Sequence, residues 1–137
     1  MTYIAMVRVA AIAAVIAGSS PTSLAAQPQP PGVTRVLLQQ SDLSIAGREV
    51  VQVRVEFAPG ASFPAHSHPG EEIVYVIEGV FEYALEGRLP VTLKAGDVLL
   101  IPAGTVHRVT NVGSGTAAEL ATYIVEKGMP LVVTVTK

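Results

Sequence analysis

The chain has 137 residues, a formal net charge of −2 at pH 7 and no cysteine. Its length is that of one domain, and the lack of cysteine excludes disulfides, thiolate metal ligands and cysteine nucleophiles in this chain. Lysine and arginine form no run or patch in the sequence, which argues against a nucleic acid partner.

The first residues are typical of a secretory signal peptide. Arg8 is their only charge, an apolar run follows over residues 9–17, and small residues stand at Ser23 and Ala25. This pattern predicts a signal peptide over residues 1–25, cleaved after Ala25, so that the mature protein is periplasmic or secreted and is not held in a membrane. An N-terminal membrane anchor is the alternative, but the apolar run is short, since a spanning helix needs about 20 residues.

A proline-containing leader over residues 26–33 is expected to be flexible and to connect to one domain over residues 34–137. In that domain short apolar or alternating runs are separated by glycine and proline, and no helical period is convincing after residue 27. The predicted strands cover residues 34–38, 50–57, 72–78, 81–86, 91–93, 98–101, 107–111, 119–126 and 131–136. Many short strands of this kind predict an all-β sandwich or barrel.

The histidines are the candidate metal ligands. His66 and His68 are two residues apart, so on a strand they project to the same side, with their Cα atoms about 6.5–7 Å apart. Glu72 follows a turn and can return a carboxylate to the same centre, while His107 comes from a separate strand and can close the site. Glu71 must point away from Glu72 and is expected to be a solvated charge. The alternative is that these are ordinary surface or core histidines.

Two stretches of the sequence carry these residues in a fixed spacing. They read G-x5-H-x-H-x3-E-x6-G from Gly60 to Gly79, and G-x5-P-x-G-x2-H-x3-N from Gly96 to Asn111. The patterns resemble the two signature motifs of the cupin superfamily, and the resemblance covers residues 60–111. It implies a small antiparallel β-barrel, the double-stranded β-helix or jelly roll. It also implies one metal ion, with four ligands: His66, His68, Glu72 and His107.

The resemblance further implies a mononuclear metal-dependent enzyme acting on a small organic molecule. An oxidoreductase of the dioxygenase type is the expected activity, and similar small cupins also include decarboxylases and isomerases. The ligand set suits one divalent ion of Fe, Mn, Ni, Co, Cu or Zn and does not choose among them. Glu72 is either a permanent ligand or a catalytic general base. The alternatives are a non-catalytic module that binds a small molecule or a metal, and a purely structural zinc site.

Two further expectations concern the surroundings of the site. Phe63, Phe81 and Tyr83 are candidate pocket walls, with core filling as the other role open to them. The strand over residues 72–78 is apolar on both faces, and such a strand is covered on both. Its outward side chains are Ile73, Tyr75 and Ile77. We expect terminal strands or a second subunit to cover them, and because cupins often dimerise we favour a homodimer.

Overall fold

The computed structural model describes residues 27–135, so the predicted signal peptide lies outside the described residues. The described part of the chain contains strands and turns and no helix, which confirms the predicted all-β class. It contains no helix long and apolar enough to cross a membrane. The strands are β1 (Val33–Asp42), β2 (Arg48–Phe57), β3 (Ser62–Ser67), β4 (Gly70–Glu78), β5 (Val80–Leu85), β6 (Val91–Lys94), β7 (Val98–Ile101), β8 (His107–Asn111), β9 (Ala117–Glu126) and β10 (Val133–Thr134).

The strands form two five-stranded antiparallel sheets. The first, called here the β9 sheet, has the order β1-β2-β9-β4-β7, and the second, the β8 sheet, has the order β10-β3-β8-β5-β6. No strand of one sheet pairs with a strand of the other within residues 27–135. The predicted barrel is therefore a jelly roll of two facing sheets rather than a sheet that closes on itself.

Alternating side chains explain how the two sheets pack. Every second residue of β2 is buried, as the alternation of valine with polar residues predicts, and β9 has the same alternation over most of its length. Polar side chains are buried between the sheets as well, but most of the core is apolar and contains fully buried Val53, Phe57, Val74, Val76 and Phe81. Burying one such side chain contributes about 1.5–3 kcal/mol to folding.

Two glycines permit backbone contacts that the sandwich needs. Gly79 connects β4 to β5 with a φ of 79°, and a Cβ there would lie 2.5 Å from the Cβ of Ala117. Gly70 begins β4, and a Cβ there would lie 2.0 Å from the carbonyl oxygen of Ile124. Any other residue at either position would displace β9 from β4.

The sequence predicted β7 and β8 with the bounds that the structure has, but it underestimated β1. That strand was expected over residues 34–38, and it extends to Asp42 by pairing with β2 through a bulge between Leu37 and Gln39. Its second half is exposed on both sides, so hydrogen bonding to β2 rather than burial maintains it.

The outer face of β4 is exposed. Tyr75 is 47% exposed, and its neighbours on β7, Val98 and Leu100, are 60% and 55% exposed. Of the described residues, the first and last strands, β1 and β10, lie at the edges of different sheets and do not cover this face. The expectation of a second subunit stays a prediction.

Candidate metal centre

Three strands bring the predicted ligands to one end of the sandwich. His66 in β3 lies directly opposite His107 in β8, in the antiparallel register of the β8 sheet. His68 follows the end of β3, where its carbonyl oxygen accepts a hydrogen bond from the backbone N–H of Gly104, 3.1 Å away. Glu72 lies in β4 of the opposite sheet, paired with Tyr123 of β9. The candidate site therefore spans the two sheets.

The three imidazole rings face one point. Their centroids are 4.9 Å apart for His66 and His68, 4.3 Å for His66 and His107, and 5.2 Å for His68 and His107. One ring nitrogen from each lies within 4.8 Å of the other two, and all three side chains are buried. This is the arrangement that three ligands of one ion require.

Backbone carbonyls set the orientation of each ring. The Nδ1 atoms of His66, His68 and His107 lie 2.7, 2.6 and 3.0 Å from the carbonyl oxygens of Pro64, Leu131 and Thr105. A carbonyl oxygen only accepts hydrogen bonds, so each Nδ1 donates. In the neutral ring Nε2 then carries a lone pair and is free to bind a metal ion, as is usual for metal-bound histidine.

Glu72 faces two of these nitrogens. Its Oε2 lies 3.1 Å from Nε2 of His68 and 3.2 Å from Nε2 of His107. Among the described residues neither Oε2 of Glu72 nor Nε2 of His68 has a hydrogen-bond partner. Buried acceptors that face each other without a donor are costly unless a cation lies between them. The residues present therefore fit a divalent metal ion.

The charge states agree with a ligand role. Burial, together with repulsion from His107 and His68, lowers the pKa of His66 to about 3, so this ring is neutral at physiological pH. Burial raises the pKa of Glu72, but the neighbouring His68 and His107 outweigh that effect and hold the pKa well below its usual range. One neutral imidazole and one carboxylate are thus available without further deprotonation.

A small cavity adjoins these atoms. Its volume is about 20 Å³, enough for an ion or a water molecule. Apolar side chains form much of its wall: Val55, Phe57, Phe63, Val109 and Val132. Besides the predicted ligands, its polar wall residues are Arg35, Tyr83, Glu119 and Tyr123.

The three predicted pocket walls have different positions. The ring of Phe63 lies 4.5 Å from that of His66, and the ring of Tyr83 stacks 6.5 Å from that of His107, so both line the cavity. Phe81 instead packs edge-on against Phe57 at 5.1 Å, fully buried, and is not among the described residues that line the cavity. Phe81 fills the core, as its alternative role predicted.

Sequence reasoning missed Glu119. This side chain is buried on β9, and Oε2 accepts a hydrogen bond from the hydroxyl of Tyr83. Burial and the nearby charge of Glu72 raise the pKa of Glu119 to about 8, although the hydrogen bond from Tyr83 lowers it, so the group is largely protonated at neutral pH. The alternation of side chains along β9 could have indicated this position, because Glu119 lies on the same face of the strand as Ala121 and Tyr123, which are buried.

Arg35 and Tyr123 were missed as well. The ring of Tyr123 lies 4.7 Å from that of His68, and burial together with Glu72 and Glu119 keeps its pKa well above the usual value. The guanidinium of Arg35 lies 5.6 Å from the centre of the Phe63 ring. The sequence does not show that either residue lies near the histidines, because β1 and β9 are brought to the site by the arrangement of strands in the β9 sheet.

The sequence matches a known protein family. The profile of the cupin domain family matches residues 53–130, more than half of the chain. Germin-like protein 1-1 of Oryza sativa subsp. japonica is 38% identical over 79 residues, which are 54% of this chain and 37% of that protein. The chain spans only about a third of the length of the curated germin-like relatives that it matches.

Solved structures share the fold. KdgF from Halomonas sp. superposes with a TM-score of 0.61 at 25% identity, over 74% of this chain and 86% of that chain. A recombinant oxalate oxidase in complex with glycolate superposes with a TM-score of 0.60 at 27% identity, over 77% of this chain and 56% of that chain.

Proposed function

The chain belongs to the cupin domain family, and we propose that it is an exported, mononuclear metal-dependent oxidoreductase that acts on a small organic molecule. The observation that carries the proposal is the buried group of three histidines, in which Nε2 of His68 and Nε2 of His107 face Oε2 of Glu72, and in which the described residues supply no hydrogen-bond donor to Nε2 of His68 or Oε2 of Glu72. The similarity to an oxalate oxidase in complex with glycolate supports the choice of an oxidoreductase.

His66, His68, His107 and Glu72 would hold one divalent ion of Fe, Mn, Ni, Co, Cu or Zn. Such an ion supplies Lewis-acid chemistry and, for the redox-active metals, electron transfer at the point where these atoms meet. The carbonyl of Leu131 fixes the ring of His68 and so directs its lone pair toward that point.

Two carboxyl groups have different protonation states and thus different roles. Glu72 is ionised and is both a ligand and the candidate base, since a proton acceptor needs a lone pair within reach of the reacting molecule. Glu119 holds a proton at neutral pH and lines the same cavity, so it can donate one, with Tyr83 orienting it. Opposite protonation states in neighbouring carboxyl groups are typical of acid–base pairs in active sites.

The test of activity combines metal analysis with oxygen consumption. Protein loaded with iron, manganese, nickel or copper in turn is mixed with oxalate, glycolate, diols, diketones and flavonols, and oxygen is followed with an electrode. Oxygen uptake that is lost in Glu72→Gln and retained in Glu71→Gln supports the proposal. Glu71 is the matched control because it is adjacent in sequence and exposed on the opposite face of β4.

A structural zinc site is the second candidate, favoured by the small volume of the cavity. Four protein ligands that close the coordination sphere hold a fold together without catalysis. Zinc-loaded protein that unfolds in chelator, and shows no exchangeable water by relaxation measurements after cobalt substitution, would replace the enzyme proposal with this one.

We also propose that the exposed face of β4 and β7 is the interface of a homodimer. Tyr75, Val98 and Leu100 form an exposed apolar patch on these two strands, and β7 is an edge strand whose outer backbone groups have no partner strand among the described residues. The same patch of a second copy, related by a two-fold axis, would cover this apolar face. Sedimentation equilibrium should give a dimer at micromolar concentration and a monomer for Leu100→Glu; a monomeric wild-type protein would contradict the proposal.

Export is tested at the N-terminus. N-terminal sequencing of protein from the periplasm or medium should begin at Ala26. A start at Met1 or Met6 would show that residues 1–25 are not removed.

A further inference from the structure

Arg35 is a half-buried cation with incomplete hydrogen bonding. Its Nη2 donates to the carbonyl oxygens of Gln27 and Pro28 at 3.2 and 3.4 Å, and its guanidinium lies over the ring of Phe63. Its Nε is closed off from solvent and has no hydrogen-bond partner among the described residues. It is also the only lysine or arginine among the described residues that line the metal cavity.

No carboxylate within residues 27–135 forms an ion pair with Arg35. Arg54, by comparison, lies on the neighbouring strand β2 but on the opposite face of the sheet, and it pairs with Glu56 at 2.8 Å. Removing a guanidinium from water costs free energy that an opposite charge normally offsets. A partly desolvated arginine without an acidic partner, with one N–H donor unused beside a cavity, is suited to bind an anion from outside the chain.

The net charge of the metal-loaded site also favours binding of an anion. Histidine binds a metal ion as the neutral imidazole and glutamate binds it as the carboxylate, so a divalent ion held by these four residues leaves one positive charge, and Arg35 adds a second. A site with two positive charges in low-dielectric surroundings attracts an anion. Arginine binds carboxylates well because its planar N–H groups match both carboxylate oxygens.

An apolar groove lies next to Arg35 and the cavity. It has a volume of about 340 Å³, which is sufficient for a small ligand. Its wall is mainly proline and other apolar side chains, and it shares Phe63 and Val132 with the metal cavity. Gln27 and Pro28, whose carbonyls contact Arg35, also line it. Arg35 thus lines the metal cavity and contacts two residues that line the adjoining groove.

We infer that Arg35 anchors the carboxylate of a small apolar acid, whose body occupies the groove and whose carboxyl end reaches the metal cavity. The inference rests on the proposed function, because this acid would be the substrate class of the metal site. It narrows the small organic molecule of that proposal to a carboxylate with an apolar body.

The probe is phenylacetate, and phenylacetamide is its neutral counterpart of nearly the same shape. Binding to the metal-loaded protein is measured by isothermal titration calorimetry for wild type, Arg35→Gln, Arg35→Lys and the control Arg88→Gln, which changes an exposed arginine in the turn after β5. Each variant is checked for metal content and thermal unfolding. We expect the Kd of phenylacetate to rise about 10- to 100-fold in Arg35→Gln, as for loss of a charged hydrogen bond, to rise less in Arg35→Lys, and not to change in Arg88→Gln.

Phenylacetamide should bind wild type more weakly than phenylacetate and should be insensitive to Arg35→Gln. Equal binding of the acid to wild type and Arg35→Gln, equal binding of acid and amide, or no binding of the acid to fully metallated wild type would each overturn the inference and leave the metal site intact. If Arg35→Gln does not fold, the comparison of phenylacetate with phenylacetamide and the Arg35→Lys variant still test whether Arg35 binds the carboxylate. Failure of wild type to take up any metal would instead overturn the proposed function.

Discussion

The two ends of the sandwich bury polar groups in opposite ways. At one end the side chain of Asn111, 1% exposed, donates to the carbonyl oxygens of Phe57, Ala58 and Gly115 and accepts from the N–H of Gly113. At the other end Glu72 faces His68 and His107, and its Oε2 has no hydrogen-bond partner among the described residues.

The difference shows which buried polar groups serve the fold. The amide of Asn111 replaces water completely with protein partners and closes the chain between β8 and β9, so it is structural. At the histidine end each Nδ1 donates a hydrogen bond to a backbone carbonyl. The Nε2 atoms of His68 and His107 and Oε2 of Glu72 face one another without a donor between them. Buried polar groups left in this state are stable only with a partner from outside the chain.

The largest effect is expected at the histidine end. Replacing His107 by Ala removes one of three nitrogen ligands, so metal affinity should fall at least about 100-fold, beyond the effect of losing a supporting hydrogen bond. Competition with a chromogenic chelator measures this loss, and circular dichroism confirms that the β structure persists. Unchanged affinity would show that the ion is held elsewhere.

A substitution at Asn111, at the opposite end of the sandwich, should lower stability without changing metal binding. Asn111→Leu leaves three carbonyls and one N–H buried without their partner, and we expect the free energy of unfolding to fall by about 3 kcal/mol. Urea unfolding of the metal-free protein gives this value. Metal stoichiometry should stay at the wild-type level, and a parallel loss of metal would mean that the two ends are not independent.

A smaller effect separates the two adjacent glutamates. Glu72→Gln keeps the shape of the side chain but removes its charge, so metal affinity should fall about 10- to 100-fold. Glu71→Gln should change affinity by less than about twofold, because this residue is exposed on the other face of β4. Equal effects of the two variants would contradict the assignment of Glu72 as the ligand.

These ligands could be predicted from sequence because their spacing is local. His66 and His68 share a face by strand parity, and the two motifs place Glu72 and His107 in order. Arg35 and Glu119 could not be placed in the same way. β9 reaches the site by pairing with β4, which is far away in the chain, and β1 joins the same sheet through β2, so neither strand has a fixed spacing from the histidines. The alternation of apolar and polar residues along β9 does predict that Glu119 points inward. The sequence does not predict which residues it contacts.

The smallest expected effect is a pH dependence at Glu119. The pKa of this group is raised from 4.5 to about 8 in the folded state, so its stabilising contribution is complete below pH 4.5 and is lost as pH rises toward and through 8. Between pH 6.5 and 8 the metal-free protein should lose about 1–2 kcal/mol of stability relative to Glu119→Gln. His66 is not expected to contribute there, because its pKa is lowered from 6.5 to about 3 and its contribution is lost only as pH falls below 6.5.

Urea unfolding of both proteins at several pH values in this window measures the effect. A constant difference between wild type and Glu119→Gln would show that the carboxyl group of Glu119 is not protonated in the fold.

The metal content of the exported, untagged protein, measured by inductively coupled plasma mass spectrometry, is the most direct test of the central claim. We expect about one equivalent of a divalent transition metal per chain, and iron, manganese, nickel or copper would support the oxidoreductase over the structural zinc site. Protein that contains no metal, and takes up none when each of the six ions is supplied, would contradict the claim that His66, His68, Glu72 and His107 form a metal centre.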